Sequence, residues 1–224
     1  MARHRRQARS EEVSNPRFAR LYARMTERES AEQVELRREL LAGLGGRMLE
    51  IGAGNGRNFG FYPAQVREVV AVEPEPYLRA LAVQAAPRAP VSIEVIDAVA
   101  DSLPLENGSV DAAVACLVLC SVPDQGAALS ELRRVLRPGG ELRFLEHVHA
   151  DRQPMRAVLA GADRSGIWPR LAGGCHPARD TLAAIEDAGF AVERVRRFDF
   201  SPGRPMPAIP HILGSARRPR DMHN

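Results

Sequence analysis

Met48-Leu-Glu-Ile-Gly-Ala-Gly-Asn-Gly-Arg57 reads as a buried strand that runs straight into a glycine-rich turn. The alternate glycines Gly52, Gly54 and Gly56 let the backbone approach a ligand closely, because no Cβ stands in the way. Glu50 precedes the turn, and a second acid, Glu73, ends the next apolar run, Val69-Val-Ala-Val-Glu73. A carboxylate at that second place accepts the hydroxyls of a ribose. Together these residues predict a nucleoside-bearing cofactor across the top of a parallel sheet.

From residue 47 onward, β-rich runs alternate with helix-like segments. The strands are expected at 47–51, 69–73, 91–96, 111–118 and 141–146, the helices near 57–66, 75–86 and 124–136. The continuous apolar run Ala112-Ala-Val-Ala-Cys-Leu-Val118 implies burial on both faces. Such alternation argues for a parallel sheet with helices on both sides. Leu136-Arg-Pro-Gly-Gly140 stops a helix and turns into the next strand. A last helix over 177–188 leads to two late strands, near 190–200 and 211–217. Between them Pro202, Pro205, Pro207 and Pro210 predict an extended loop or lid edge over 201–210. Upstream, Phe18, Leu21, Tyr22 and Met25, then Val34, Leu36, Leu40 and Leu41, carry a helical period that ends at Gly43–Gly46. The expected organisation is a basic tail and helical cover (1–43), one domain (44–217) and a short C-terminal tail (218–224).

At 224 residues the chain is long enough for one α/β core. It is 45% hydrophobic and 26% charged, which is ordinary for a soluble globular protein. The net charge of +3 comes entirely from arginine, since the chain contains no lysine. With Ala, Gly and Pro plentiful, this suggests GC-rich coding rather than selection for nucleic acid. No apolar run approaches the ~20 residues of a membrane-spanning helix. The arginine-rich start, Met1 to Arg9, is expected to be a solvated tail. Three cysteines, Cys116, Cys120 and Cys175, are too few for a disulfide scaffold, so a reducing cytoplasm fits. Cys116 and Cys120 sit in an apolar run without a second pair, which predicts buried small hydrophobes and no metal site.

The glycine turn alone fits a dinucleotide, a phosphate or S-adenosylmethionine. The dinucleotide fingerprint requires a further glycine that is missing here. Glu50 would repel a pyrophosphate, whereas it suits a cationic aminoacyl group. That shifts the reading from NAD to S-adenosylmethionine, whose sulfonium and ammonium are both positive.

Glu50-Ile-Gly-Ala-Gly-Asn-Gly56, Glu73, Asp101-Ser-Leu-Pro-Leu-Glu-Asn-Gly-Ser-Val-Asp111 and Leu136-Arg-Pro-Gly-Gly140 resemble, in order, the motifs of class I S-adenosylmethionine-dependent methyltransferases. The resemblance implies a three-layer Rossmann-like α/β fold, with a mostly parallel seven-stranded sheet and an antiparallel last strand. It implies S-adenosylmethionine as cofactor. Glu50, Gly52, Gly54 and Gly56 would lie beside the methionine part, and Glu73 would bind the ribose diol. Ala100 and Asp101 would flank the adenine, with Asp97 as the rival acid, and Leu117 would follow the fourth strand against the cofactor. Asn58 and Pro74 complete the expected cofactor set. Read without the resemblance, Glu73 and Asp101 cap a turn and a bend.

Asn58-Phe-Gly-Phe-Tyr-Pro63, Leu117-Val-Leu-Cys-Ser-Val122, Glu146-His-Val148, Gly173-Gly-Cys-His176 and Pro210-His-Ile-Leu-Gly214 are similar to the methyltransferase-like seven group of alkyl-thiol S-methyltransferases. The similarity covers about residues 44–216. It departs at the N-terminus, where the mammalian proteins carry an apolar anchor. It implies a small-molecule acceptor, most simply a thiol, with O-, N- or C-nucleophiles as the alternative and a non-catalytic binding module as a third reading. A thiol must lose its proton before it attacks, and a histidine can accept that proton or stabilise the thiolate. His147, just after the fifth strand, is the first candidate, His176 the second and His211 the third; a structural role is the alternative for each. Nucleic acid is not expected as a partner: Cys116-Leu-Val-Leu-Cys120 lacks the Asn/Asp-Pro-Pro-aromatic pattern of base-amine methyltransferases.

Overall fold

Strand residues alternate between two apolar cores, one on each face of a single sheet. In the computed structural model, which describes residues 14–201 and 208–220, the chain opens with α1 (Pro16–Met25) and α2 (Ala31–Leu41), then β1 (Gly46–Ile51), β2 (Val66–Val72), α3 (Pro76–Ala85) and β3 (Ser92–Ile96). It continues with β4 (Val110–Cys116), α4 (Gln125–Val135), β5 (Leu136–His147), α5 (Met155–Arg164), α6 (Ile167–Leu171), α7 (Thr181–Asp187), β6 (Ala191–Phe200) and β7 (Ile209–Arg217). The sheet order is β3-β2-β1-β4-β5-β7-β6. Among the described strands, β7 alone runs opposite to the rest, antiparallel to both β5 and β6. The expected three-layer, Rossmann-like, mostly parallel seven-stranded sheet is therefore present.

Leu49 and Ile51 of β1 join Ala113 and Ala115 of β4 in one core, beneath Leu129 and Leu132 of α4. Met48, Ala112 and Val114 enter the other, against Leu36, Leu40 and Leu41 of α2. A side-chain period of two puts Glu50 on the α2 face with Met48. That placement decides which residues Glu50 meets.

Local chemistry sets the helix starts. Asn15, Glu75, Asp124 and Asp180 each accept a backbone N–H from the first turn of the helix they precede. Ser30 and Gln33 form a reciprocal capping box at α2. Pro76 occupies the first turn of α3, where a missing N–H is harmless.

Four expectations are corrected. The helix over 57–66 is a set of turns with one 3-10 turn, Phe59–Phe61. Gly56 adopts φ +78° and Pro63 lacks an N–H, so no helical ladder propagates there. The helix expected from 177 begins at Thr181, because Asp180 caps it. Strand pairing in β5 starts at Leu136 and resumes at Glu141, with an irregularity across the Arg-Pro-Gly-Gly segment. Two helices, α5 and α6, occupy 155–171, where none was expected. The arginine-rich start and residues 202–207 and 221–224 lie outside the described residues. Arg218 Nη1 donates to the carbonyls of Arg133 at 2.9 Å and Leu136 at 2.6 Å.

Candidate active site

The strand order reverses between β1 and β4, and the two turns that follow these strands meet there. Gly52 adopts φ +59°, and a Cβ on it would come within 2.3 Å of Val118 Cγ2. No other residue fits that position without moving the loop after β4.

Glu50 lies buried beneath this turn, with both oxygens engaged. Asn58 Nδ2 and the Tyr62 hydroxyl each donate to it at 2.8 Å. Asn58 in turn accepts from Arg37 Nη1 at 2.7 Å, and Arg37 Nε donates to Glu29 at 2.7 Å. Burial pushes the Glu50 carboxyl up to about 7, against the pull of Tyr62, Asn58 and Arg37. A buried carboxylate under strain of this kind favours a cation brought above it. Asn58, expected at the cofactor, is 2% exposed and donates to Glu50. Phe59 joins the core, and Tyr62 reaches Glu50 through its hydroxyl.

Glu73 stands just past β2. Its carboxylate accepts the backbone N–H of Gly54 at 2.7 Å and of Glu75 at 2.9 Å. Burial pushes it up to about 7 as well. Arg79 binds the carbonyls of Glu73 and Pro74 at 2.9 and 2.7 Å and pairs with Asp97 at 3.1 Å. Asp97 is therefore engaged by α3. Ala100 is buried and Asp101 half-buried on the turn beyond β3.

Leu117 directly follows β4 with φ +57°, the one non-glycine residue with positive φ among the described residues. A left-handed leucine costs roughly 1–2 kcal/mol, so its surroundings must hold it. They do so through Glu146, which is fully buried. One Glu146 oxygen accepts the N–H groups of Val118 at 3.0 Å and Leu119 at 2.9 Å, and the other accepts that of Cys120 at 3.2 Å. The turn that faces the glycine loop is thus pinned by one carboxylate.

His147 follows Glu146 and ends β5. Its Nδ1 lies 3.2 Å from Cys175 Sγ and 3.7 Å from Cys120 Sγ. Burial opposes charge on His147, but Cys120 and Glu146 outweigh it and raise its pKa. The Cys120 thiol leans on Cys175, which lowers Cys175 and lifts Cys120. Trp168 of α6 also favours the Cys175 thiolate.

His211 pairs with His147 across β5 and β7, and the two rings meet edge-on at 4.4 Å. Its Nδ1 bonds the Ile209 carbonyl at 2.8 Å, and burial pushes it down to about 3, so it is neutral. His176 is not drawn into this group. Its Nδ1 bonds Asp163 of α5 at 2.6 Å, while its backbone N–H donates to the Cys120 carbonyl. The neighbouring Cys175 enters instead.

The N-terminal helix covers both halves. Tyr22 lies over Gly54, where a Cβ would sit 3.4 Å from the ring. Phe18 packs on Gly173 so closely that a Cβ there would lie 2.2 Å from Phe18 Cε1. Through Tyr22 and Phe18, α1 touches both the glycine loop and the segment 173–176, the lid, together.

Three participants were not singled out from sequence. Arg37 of α2 connects to Glu50 through Asn58, and Glu29, just before α2, holds Arg37; nothing in their spacing marks them. Glu146 did carry a signal, an acid at the end of an apolar strand beside a histidine.

Residues 49–144 match the family model described as a methyltransferase domain. Human thiol S-methyltransferase TMT1B is 35% identical over 210 residues, 89% of this chain and 85% of that protein. This chain belongs to the same methyltransferase family. The mouse TMT1B methyltransferase is 38% identical over 172 residues, 75% of this chain and 69% of that protein. Among solved structures, geranyl diphosphate C-methyltransferase from Streptomyces coelicolor superposes with a TM-score of 0.64 at 17% identity, over 84% of this chain and 77% of that one. The methyltransferase described here uses S-adenosylmethionine. None of its described helices is long and apolar enough to cross a membrane.

Proposed function

We propose that this methyltransferase transfers the methyl group of S-adenosylmethionine to the sulfur of a small thiol in the cytoplasm. The observation that carries this reading is the soft, half-enclosed face made by Cys120, His147 and Cys175 beside the β4 turn. The thiol specificity of the TMT1B relatives supports it.

Glu50 and the turn at Gly52, Gly54 and Gly56 hold the methionine end. Glu73 takes the ribose diol, exchanging its bond to the Gly54 amide for bonds to hydroxyls. Pro74 and Leu117 line the cofactor, and Ala100 and Asp101 flank the adenine. Asn58 acts through Glu50. His147 faces the acceptor, and His176 orients the lid through Asp163.

A methyl sulfonium is already activated, so the chemistry needs alignment and an ionised nucleophile. A free thiol has a pKa near ~8.5, and adjacent positive charge lowers it. The bound sulfonium supplies such charge, and His147 takes the proton or stabilises the thiolate. The thiolate pair then forms the new S–CH3 bond while the old C–S bond breaks. That electron pair neutralises the sulfonium and leaves S-adenosylhomocysteine. A methyl-label assay across alkyl thiols, phenols and amines tests the reading. Label in thiols supports it; label in phenols or amines alone rejects it.

A further inference from the structure

Cys120, His147 and Cys175 come from three separate elements: the turn after β4, the end of β5 and the lid before α7. Their ligand atoms all lie within 4.8 Å of one another. The spacing of Cys116 and Cys120 in sequence gave no sign of this, because the partner of Cys120 is far along the chain.

The geometry points to a zinc site formed by Cys120, His147 and Cys175, with its fourth position open to the sulfur of the methyl acceptor. Tetrahedral zinc, with bonds of about 2.3 Å to sulfur and 2.0 Å to nitrogen, sets sulfur–nitrogen edges of about 3.5 Å. The two Nδ1–Sγ separations, 3.2 and 3.7 Å, bracket that edge. One nitrogen therefore serves both edges from a single ring position. Two thiolates and a neutral imidazole also balance the two positive charges of zinc, as a buried site requires.

The surrounding structure holds the three groups in place before any ion arrives. Glu146 fixes the backbone of Val118, Leu119 and Cys120. The N–H of His176 donates to the Cys120 carbonyl at 2.8 Å, which ties the lid to that loop beside Cys175. Gly174 allows the approach, since a Cβ there would lie 2.9 Å from the Ser121 carbonyl oxygen. His211 supplies the outer contact. Its Nδ1 must carry a proton to bond a carbonyl, so its Nε2 presents a lone pair in the ring that meets His147 edge-on. A histidine that ligates through Nδ1 keeps its proton on Nε2, where an outer acceptor can orient it.

This proposal rests on the thiol reading above. Loading the ion releases the protons of Cys120 and Cys175 to solvent. The acceptor R–SH binds at the fourth position as R–S⁻, and its proton also leaves to solvent. The zinc then keeps the acceptor ionised, and His147 serves as ligand rather than base. Methyl transfer converts the bound thiolate to a neutral thioether, a poor ligand that dissociates.

The full-length enzyme, reduced and stripped with a chelator, is titrated with Co(II) and then Zn(II). The expected result is one ion per chain. Cobalt should show intense visible bands of a tetrahedral site and a thiolate-to-cobalt charge-transfer band, both abolished by zinc. A small alkyl thiol should shift those bands. Cys120→Ser and Cys175→Ser should each weaken uptake at least tenfold while circular dichroism stays unchanged. His211→Ala, outside the ligand set, should weaken it less. Absent cobalt bands, bands unchanged in a Cys120→Ser/Cys175→Ser double variant, or disulfide formation without metal uptake would overturn the site. Full thiol methylation by the stripped enzyme would likewise overturn the metal while leaving the thiol reading intact. Zinc uptake with methylation of phenols or amines alone would reject the thiol reading and, with it, the acceptor's place on the metal.

Discussion

Glu73 accepts the backbone N–H of Gly54 at 2.7 Å. The acid proposed to hold the ribose thus also latches the glycine loop. Glu73→Ala removes both functions. S-adenosylmethionine affinity should fall by about 1–3 kcal/mol, the range of a hydrogen bond to a charged group. Calorimetric titration measures this directly, and unchanged affinity removes Glu73 from the site.

Glu50 makes stability depend on pH in a defined direction. Its folded pKa is raised from 4.5 to about 7, so the folded state holds the proton more tightly than the unfolded chain. The stabilisation is complete below the unfolded pKa and is lost as pH rises through the folded one. The difference is worth ~3 kcal/mol at most. Glu50→Gln should therefore gain stability relative to the parent between pH 5 and 8, measured by urea unfolding at both pH values. In the same window, parent affinity for S-adenosylmethionine should rise with pH as Glu50 ionises, and the variant should lose part of that rise.

Glu146 is predicted to matter more for architecture than for charge. Glu146→Ala leaves three N–H groups unpaired, a part-buried one at Val118 and buried ones at Leu119 and Cys120. Each buried loss costs about 1–3 kcal/mol, so a total destabilisation of at least ~2 kcal/mol is expected by chemical denaturation. Glu146→Gln, which keeps one acceptor, should lose less.

Gly173 tests the cover formed by the leading helix. Gly173→Ala would drive a methyl into Phe18 at a backbone φ of +63°. The lid and α1 should separate, raising KM for the acceptor more than Kd for the cofactor. Steady-state kinetics beside calorimetry distinguish the two.

The residues proposed for the cofactor half are local in sequence, so their grouping was legible. Glu50 and the glycines lie within one turn of chain, and a period of two fixes which face Glu50 takes. Strands were legible through their continuous apolar runs, and the antiparallel β7 came from the family resemblance. The segment 57–66 misled because its apolar residues serve a turn whose side chains are committed to Glu50. Helices α5 and α6 were missed because α5 buries only Leu159 and α6 spans five residues, so neither carries a strong apolar stripe. The acceptor half was the least legible. Cys120, His147 and Cys175 meet only through sheet order and lid docking, which no local pattern encodes.

The most direct test uses S-adenosylmethionine with a deuterated methyl group and one small alkyl thiol, with product identified by mass. Thiol S-methylation requires a thioether carrying three deuterons, formed in step with S-adenosylhomocysteine and strongly reduced in His147→Ala. Cofactor binding without any labelled thioether, at saturating thiol and across neutral to alkaline pH, would show that the acceptor is not a thiol.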